Sequence, residues 1–156
     1  MAAKKQKSRS RLIYVLNGPN LNLLGMRQPE TYGHTTLAQL ETMLLAHARG
    51  RDLKLVFHQS NHEGDIIDWL HEARAKADGV ILNAGAYTHT SVAIHDALLA
   101  VEKPIIEVHI SSPHSREKFR HHSYVAPVAK REIAGLGVHG YVLALDALAY
   151  ILKPGV

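Results

Sequence analysis

A chain of 156 residues that is 46% hydrophobic, 21% charged and 6% aromatic fits one globular domain, long enough to bury roughly 68–70% of its unfolded surface around a single core. It contains no cysteine, which excludes a disulfide framework, thiolate catalysis and any cysteine-ligated zinc or iron–sulfur centre. Its formal charge of +4 belongs to one end: Lys4, Lys5, Lys7, Arg9 and Arg11 hold five of the eighteen basic residues, leaving 13 basic against 14 acidic residues beyond them and no basic face for a nucleic-acid partner.

In chain order, residues 1–11 read as a basic, flexible, solubilising tail, followed by a single domain at 12–156. Met1–Leu12 lacks the apolar centre of a secretory signal, and no run approaches the ~18 apolar residues of a membrane helix, so a cytoplasmic protein with no membrane partner is expected. Leu12–Leu16 (LIYVL) is a continuous apolar run stopped by Asn17-Gly18-Pro19, which predicts a strand buried on both faces and then a loop. That loop, Asn17–His34, is about eighteen residues long, against the usual ~2–6. Thr36-Leu37-Ala38-Gln39 is a capping-box pattern, and Leu37, Leu40 and Leu44 carry a first helix to Gly50, read as its C′ residue.

The unit then repeats. Leu53–His58 predicts strand two, Ser60-Asn61-His62-Glu63 a second capping box, and Ile66, Ile67, Leu70, Ala73 and Ala77 the apolar face of a second helix ending before Gly79. Val80–Asn83 predicts strand three, and the loop Ala84–Thr90 leads into a third helix with Val92, Ile94, Leu98 and Leu99. Pro104–Ile110 (PIIEVHI) reads as strand four and Ile133 as the centre of a short fifth. Val138, Tyr141, Val142, Leu145, Leu148, Ala149 and Leu152 then mark an amphipathic closing helix. Strands alternating with helices require right-handed crossovers and a parallel sheet covered on both faces. The expected fold is therefore α/β, a three-layer flavodoxin-like sandwich with a five-stranded parallel sheet of order 2-1-3-4-5. Its ligand site should lie beyond the carboxyl ends of strands one and three, where the order reverses.

Four segments bring chemistry to that edge. The long first loop carries Asn20, Arg27 and Tyr32, although Tyr32 as a lid on the core is an alternative. Strand three ends on Asn83, and Ala84–Ser91, with His89, runs into a helix start whose amides suit an anion, or whose hydroxyls are ordinary caps. On strand four, Glu107, His109 and Ser111 alternate with Val108 and Ile110 and so share a face; the carboxylate would orient the imidazole or hold its charged form, as a general acid requires. An exposed edge-strand pair is the alternative. Ser112–Ser123 adds Arg116 and Arg120, suited to a carboxylate or vicinal hydroxyls, or simply solvated. A phenol, an imidazole, carboxamides and arginines without a Gly-rich phosphate fingerprint suit proton transfer.

GPNLNLLG (Gly18–Gly25), R-x-P-x-x-Y-G (Arg27–Gly33), ILNAGAYTHTSVAIHDA (Ile81–Ala97), IEVHIS (Ile106–Ser111) and REKFRHHSY (Arg116–Tyr124) together resemble the type II 3-dehydroquinate dehydratases, over about Leu12 to Leu152. The resemblance implies anti elimination of water from 3-dehydroquinate to give 3-dehydroshikimate, without cofactor or metal, in a dodecamer assembled from trimers. The same reaction serves aromatic biosynthesis and quinate breakdown. It further implies that Tyr32 removes a proton from C2 and that Arg27 stabilises the phenolate; a free phenol titrates near pH ~10, and a guanidinium favours its charged form. Asn20, with an ordered water, would stabilise the enolate, and His109, held by Glu107, would protonate the departing C1 hydroxyl. Asn83, His89, Ser111, the backbone at Ile110 and Arg120 would hold the carboxylate and hydroxyls, and Asp96 would reach in from a neighbouring subunit.

Three other readings compete. A Schiff-base route needs a lysine at a strand's carboxyl end, but Lys54 lies within strand two, Lys103 and Lys130 precede strands four and five, and the rest fall on helical or surface segments. A non-catalytic flavodoxin-like small-anion-binding module shares the fold, but Asn17-Gly18-Pro19-Asn20 lacks the hydroxyl-rich run of a flavin phosphate loop. The twelve histidines, including the pairs His58/His62 and His121/His122, form no HExxH pattern and are expected to hold no metal.

Overall fold

The computed structural model describes residues 9–155. Five strands, β1 (Arg11–Asn17), β2 (Leu53–Gln59), β3 (Gly79–Asn83), β4 (Ile105–His109) and β5 (Arg131–Ala134), form one parallel sheet of order β2-β1-β3-β4-β5. The expected flavodoxin-like order is therefore the observed one.

The sheet separates two apolar layers because alternate strand residues point to opposite faces. Ile13 and Val15 of β1 meet Leu40, Leu44 and Ala48 of α2 (Leu37–Arg49) and Tyr141, Leu145 and Leu148 of α5 (His139–Ile151). Tyr14 and Leu16 meet Ile66, Leu70 and Ala73 of α3 (Glu63–Lys76) and Ile94, Leu98 and Val101 of α4 (Val92–Val101). β3 and β4 are buried along their whole length, as strands of a parallel sheet covered on both faces are, and this burial includes the polar Asn83, Glu107 and His109.

Of the two expected capping boxes, one forms. The Thr36–Gln39 capping box forms with both of its bonds. The second does not: His62 is the N-cap, while Ser60 Oγ accepts from the His62 amide at 2.9 Å and donates to Asp65 Oδ2 at 2.6 Å. The acid three residues on, Glu63, is thus passed over for Asp65, two residues further along. Gly50 ends α2 in the right-handed region, φ −64°, and the left-handed reversal falls instead on Asp52, φ 55°.

The long first loop is not irregular throughout. It holds a 3₁₀ turn at Leu21–Leu23 and the one-turn helix α1 (Pro29–Tyr32), begun by Pro29 at its first position. Val92 and Leu99, read as apolar face, are 52% and 59% exposed on α4. Of the basic tail, Arg11 opens β1 and Arg9 bonds both oxygens of Asp78, at 2.9 and 3.2 Å; Lys4, Lys5 and Lys7 lie outside the described residues. No helix among the described residues is long and apolar enough to cross a membrane.

Candidate active site

Asn17 and Asn83 are register partners at the carboxyl ends of β1 and β3, where strand order reverses. Just beyond them the two loops touch. The Gly18 amide donates to the Asn83 carbonyl at 2.8 Å, and a Cβ on Gly18 would sit 2.4 Å from the Ala84 carbonyl oxygen, so only glycine permits this approach. The next turn places Asn20 in the left-handed region, φ 68°, with its amide donating to Asn61 Oδ1 at 3.0 Å.

A pocket of about 240 Å³ opens over this edge. Asn20, Arg27, Tyr32, Asn83, His89, His109, Ile110, Ser111 and Arg120 all line it, together with Arg116 and Glu117, and no lysine among the described residues does. Two of the residues picked from sequence do not line it. Glu107 stands behind His109, fully buried, and Asp96 lies on the exposed side of α4, away from its own chain's pocket.

Burial of Glu107 at 0% exposure excludes the exposed edge-pair alternative. A carboxylate in that position requires partners, and three donors meet Oε1: His109 Nε2 at 2.6 Å, Ser123 Oγ at 2.9 Å and Thr88 Oγ1 at 3.2 Å. Oε2 has no protein partner among the described residues, so the rotation of the carboxylate is set through Oε1. Ser123 is itself fixed by accepting from the amides of Val125 and Ala126 at 3.1 and 2.9 Å. With Nε2 committed to Glu107, Nδ1 is the His109 nitrogen left for a ligand.

His89 lies nearly parallel to His109, with ring centroids 6.4 Å apart. Burial holds its pKa below the ordinary histidine value, only partly offset by the hydrogen bond from Nδ1 to the His122 carbonyl at 2.7 Å. A carbonyl only accepts, so Nδ1 carries the proton and neutral His89 presents Nε2 as an acceptor. Arg120 is braced by Glu117, Nε to Oε2 at 2.7 Å, and the exposed Glu117 carboxyl is held below its usual range first by hydrogen bonding to its own backbone and then by this ion pair.

Around Tyr32 the arrangement differs from expectation. Arg27 stacks, its guanidinium carbon 5.4 Å from the ring centroid, whereas Arg116 Nη1 donates to the phenol oxygen at 2.7 Å and also packs 5.6 Å from the centroid. Sequence reading had Arg116 as a general anion contact and missed its partner, because 84 positions separate the two. Thr88 and Ser123 were also missed, since Thr88 lies in a stretch whose hydroxyls read as caps and Ser123 in a loop with no local sign of its partner. Of the paired histidines, His58 stacks on Trp69 at 4.5 Å and His121 Nε2 meets the Arg116 carbonyl at 3.1 Å, and no group of three or more potential metal ligands occurs among the described residues.

Residues 11–149 match the family model for dehydroquinase class II. The 3-dehydroquinate dehydratase of Ruegeria pomeroyi is 56% identical over 142 residues, covering 91% of this chain and 95% of that protein. The 3-dehydroquinate dehydratase 2 of Pseudomonas putida is 54% identical over 142 residues with the same coverage, 91% and 95%. Among solved structures, the type II dehydroquinase of Butyrivibrio crossotus superposes with a TM-score of 0.88 at 44% identity, covering 90% of this chain and 99% of that one. With the pocket at the reversal of strand order and a match along almost all of its length, the chain belongs to the class II dehydroquinase family.

Proposed function

We propose that this protein dehydrates 3-dehydroquinate to 3-dehydroshikimate by anti elimination through an enolate. The observation that carries the reading is a single pocket joining a phenol flanked by two guanidinium groups to an imidazole backed by a buried carboxylate. More than 90% sequence coverage by relatives named 3-dehydroquinate dehydratase supports the same substrate.

Tyr32 takes the C2 proton onto its phenol oxygen, and Arg116 and Arg27 balance the negative charge that this oxygen carries beforehand. The electron pair moves to the C3 carbonyl oxygen, where Asn20 and an ordered water meet the enolate. Collapse of the enolate breaks the C1–O bond, and the proton on His109 Nδ1 leaves with the hydroxyl as water. Glu107, clamped at Oε1, keeps the ring in place and compensates the imidazolium. Asn83 donates to a substrate oxygen, neutral His89 accepts from a substrate hydroxyl, and Ser111, the Ile110 backbone and Arg120 complete the polar lining.

The chain acts as a homo-oligomer, a dodecamer of trimers, in the cytoplasm, and uses no cofactor. Asp96 stands between Val92 and Leu99, which are exposed on α4, so an apolar contact there would deliver its carboxylate to a neighbouring copy. Mixing the purified protein with 3-dehydroquinate tests the reaction. Growth of the conjugated-enone absorbance, unchanged after exhaustive chelation and borohydride treatment, is expected; a product trapped as a lysine adduct would overturn the proposal.

A further inference from the structure

Tyr141 of α5 is fully buried, yet its hydroxyl sits under the ligand edge of the sheet, where it touches both strand-terminal asparagines. It lies 2.7 Å from Asn17 Oδ1 and 2.9 Å from Asn83 Nδ2. At the outer ends of this bridge stand two backbone groups with no choice of role. Asn17 Nδ2 donates to the His58 carbonyl at 3.0 Å, and Asn83 Oδ1 accepts from the Gly85 amide at 3.2 Å.

Those two ends fix every proton between them. A carbonyl only accepts, so the nitrogen of Asn17 faces His58 and its oxygen faces Tyr141. An amide N–H only donates, so the oxygen of Asn83 faces Gly85 and its nitrogen faces Tyr141. The one phenolic proton must go to Asn17, and the phenol oxygen must accept from Asn83. A single-direction chain results, Gly85 to Asn83 to Tyr141 to Asn17 to His58, tying the ends of β1, β2 and β3 to α5. Burial pushes the Tyr141 phenol well above its ordinary value, so this proton stays in place at working pH.

We infer that Tyr141 is a positioning residue for substrate binding: as the second anchor beside the Gly85 amide, it holds the Asn83 carboxamide so that its nitrogen edge, never its oxygen edge, meets an acceptor oxygen of the ligand. Asn83 spends one N–H on Tyr141 and one lone pair on Gly85, which leaves a second N–H on the locked edge. Without Tyr141 the carboxamide keeps only the 3.2 Å bond from the Gly85 amide, so it tilts about that single contact and loses the aimed donor in part of the population. The inference rests on the reading of Asn83 as a substrate contact.

The test is Tyr141→Phe in the full chain, with kcat, KM and Tm measured on 3-dehydroquinate. Asn83 contacts the substrate in ground and transition states alike, so KM should rise roughly tenfold while kcat changes little, because one neutral hydrogen bond is worth about one order of magnitude in binding. In an Asn83→Ala background, Tyr141→Phe should add almost nothing to KM. A lowered Tm with KM unchanged, or effects of the two substitutions that multiply, reduces Tyr141 to a core residue and overturns the inference. Should Tyr141→Phe fail to fold, the parent protein supplies the answer through the side-chain amide signals of Asn83. On adding 3-dehydroshikimate one of the two protons should shift and the other, held by Tyr141, should stay; movement of both contradicts the lock. The parent's own turnover of 3-dehydroquinate separates the outcomes: without it the proposed function fails, whereas with it an indifferent Tyr141→Phe sinks this inference alone.

Discussion

Arg116 Nη1 donates a 2.7 Å hydrogen bond to the phenol oxygen of Tyr32, joining the loop after β4 to the loop after β1 across the mouth of the pocket. Its charge sits on the atom that must carry a negative charge before a carbon-bound proton can be removed. A charge-assisted hydrogen bond contributes about 1.5–3 kcal/mol, so Arg116→Ala should lower kcat by roughly 10- to 100-fold. Arg116→Lys keeps the charge but not the planar fork and should recover part of the loss. Steady-state kinetics of the two variants decides it, and equal, near-parental kcat values would show that the phenol does not depend on this contact.

Ser123 and Thr88 hold Glu107 Oε1 from two sides, and neither touches the pocket of the catalytic pair directly. Ser123→Ala removes the shorter of the two bonds, 2.9 against 3.2 Å, and loosens the carboxylate that orients His109. kcat is expected to fall about tenfold with little change in KM, because the His109 proton is used only in the transition state. Adding Thr88→Val should deepen the loss. A rise in KM at constant kcat would place the hydroxyls in binding instead.

His89 gives the fold a pH dependence of predictable sign. Its pKa is held below the ordinary 6.5 mainly by burial, so on acidification the unfolded chain binds this proton before the folded one. Stability therefore rises with pH up to the ordinary histidine value and falls as pH drops below it, until the folded form also titrates. His89→Asn should make this slope shallower in denaturant midpoints measured from pH ~5 to ~7.5. An unchanged slope would mean that other histidines dominate.

Gly18→Ala should be among the most damaging single-methyl changes in the chain. The added Cβ meets backbone, the Ala84 carbonyl at 2.4 Å, and backbone cannot swing away as a side chain can. Separating the two loops costs about 1–3 kcal/mol of overpacking, read as a Tm drop of several degrees. Because Asn20 and Asn83 flank the contact, activity should fall even in the folded fraction.

The strand order and both core layers were legible because Leu12–Leu16 and Val80–Leu82 are uninterrupted apolar runs and Ile105–Ile110 is broken only by Glu107 and His109, with stretches of helical periodicity between them. Residues within one segment were legible too: Glu107 and His109 share a face by the period of two alone. Contacts between segments were not. Nothing in local spacing announces that Arg116 bonds Tyr32, or that Tyr141, which reads as one more core position of an amphipathic helix, closes a proton-ordered bridge between Asn17 and Asn83. Ser60 shows the same limit at short range, since its choice of Asp65 over Glu63 depends on where the turn after β2 lets the helix begin.

The most direct test of the account follows 3-dehydroquinate deuterated at C2 with the parent, Tyr32→Phe and His109→Ala proteins, recording both enone absorbance and loss of deuterium to solvent. With Tyr32 as base and His109 as acid in separate steps, Tyr32→Phe should do neither, while His109→Ala should wash out deuterium yet release little product. Normal turnover by Tyr32→Phe, or deuterium exchange that depends on His109 instead, would contradict the central assignment.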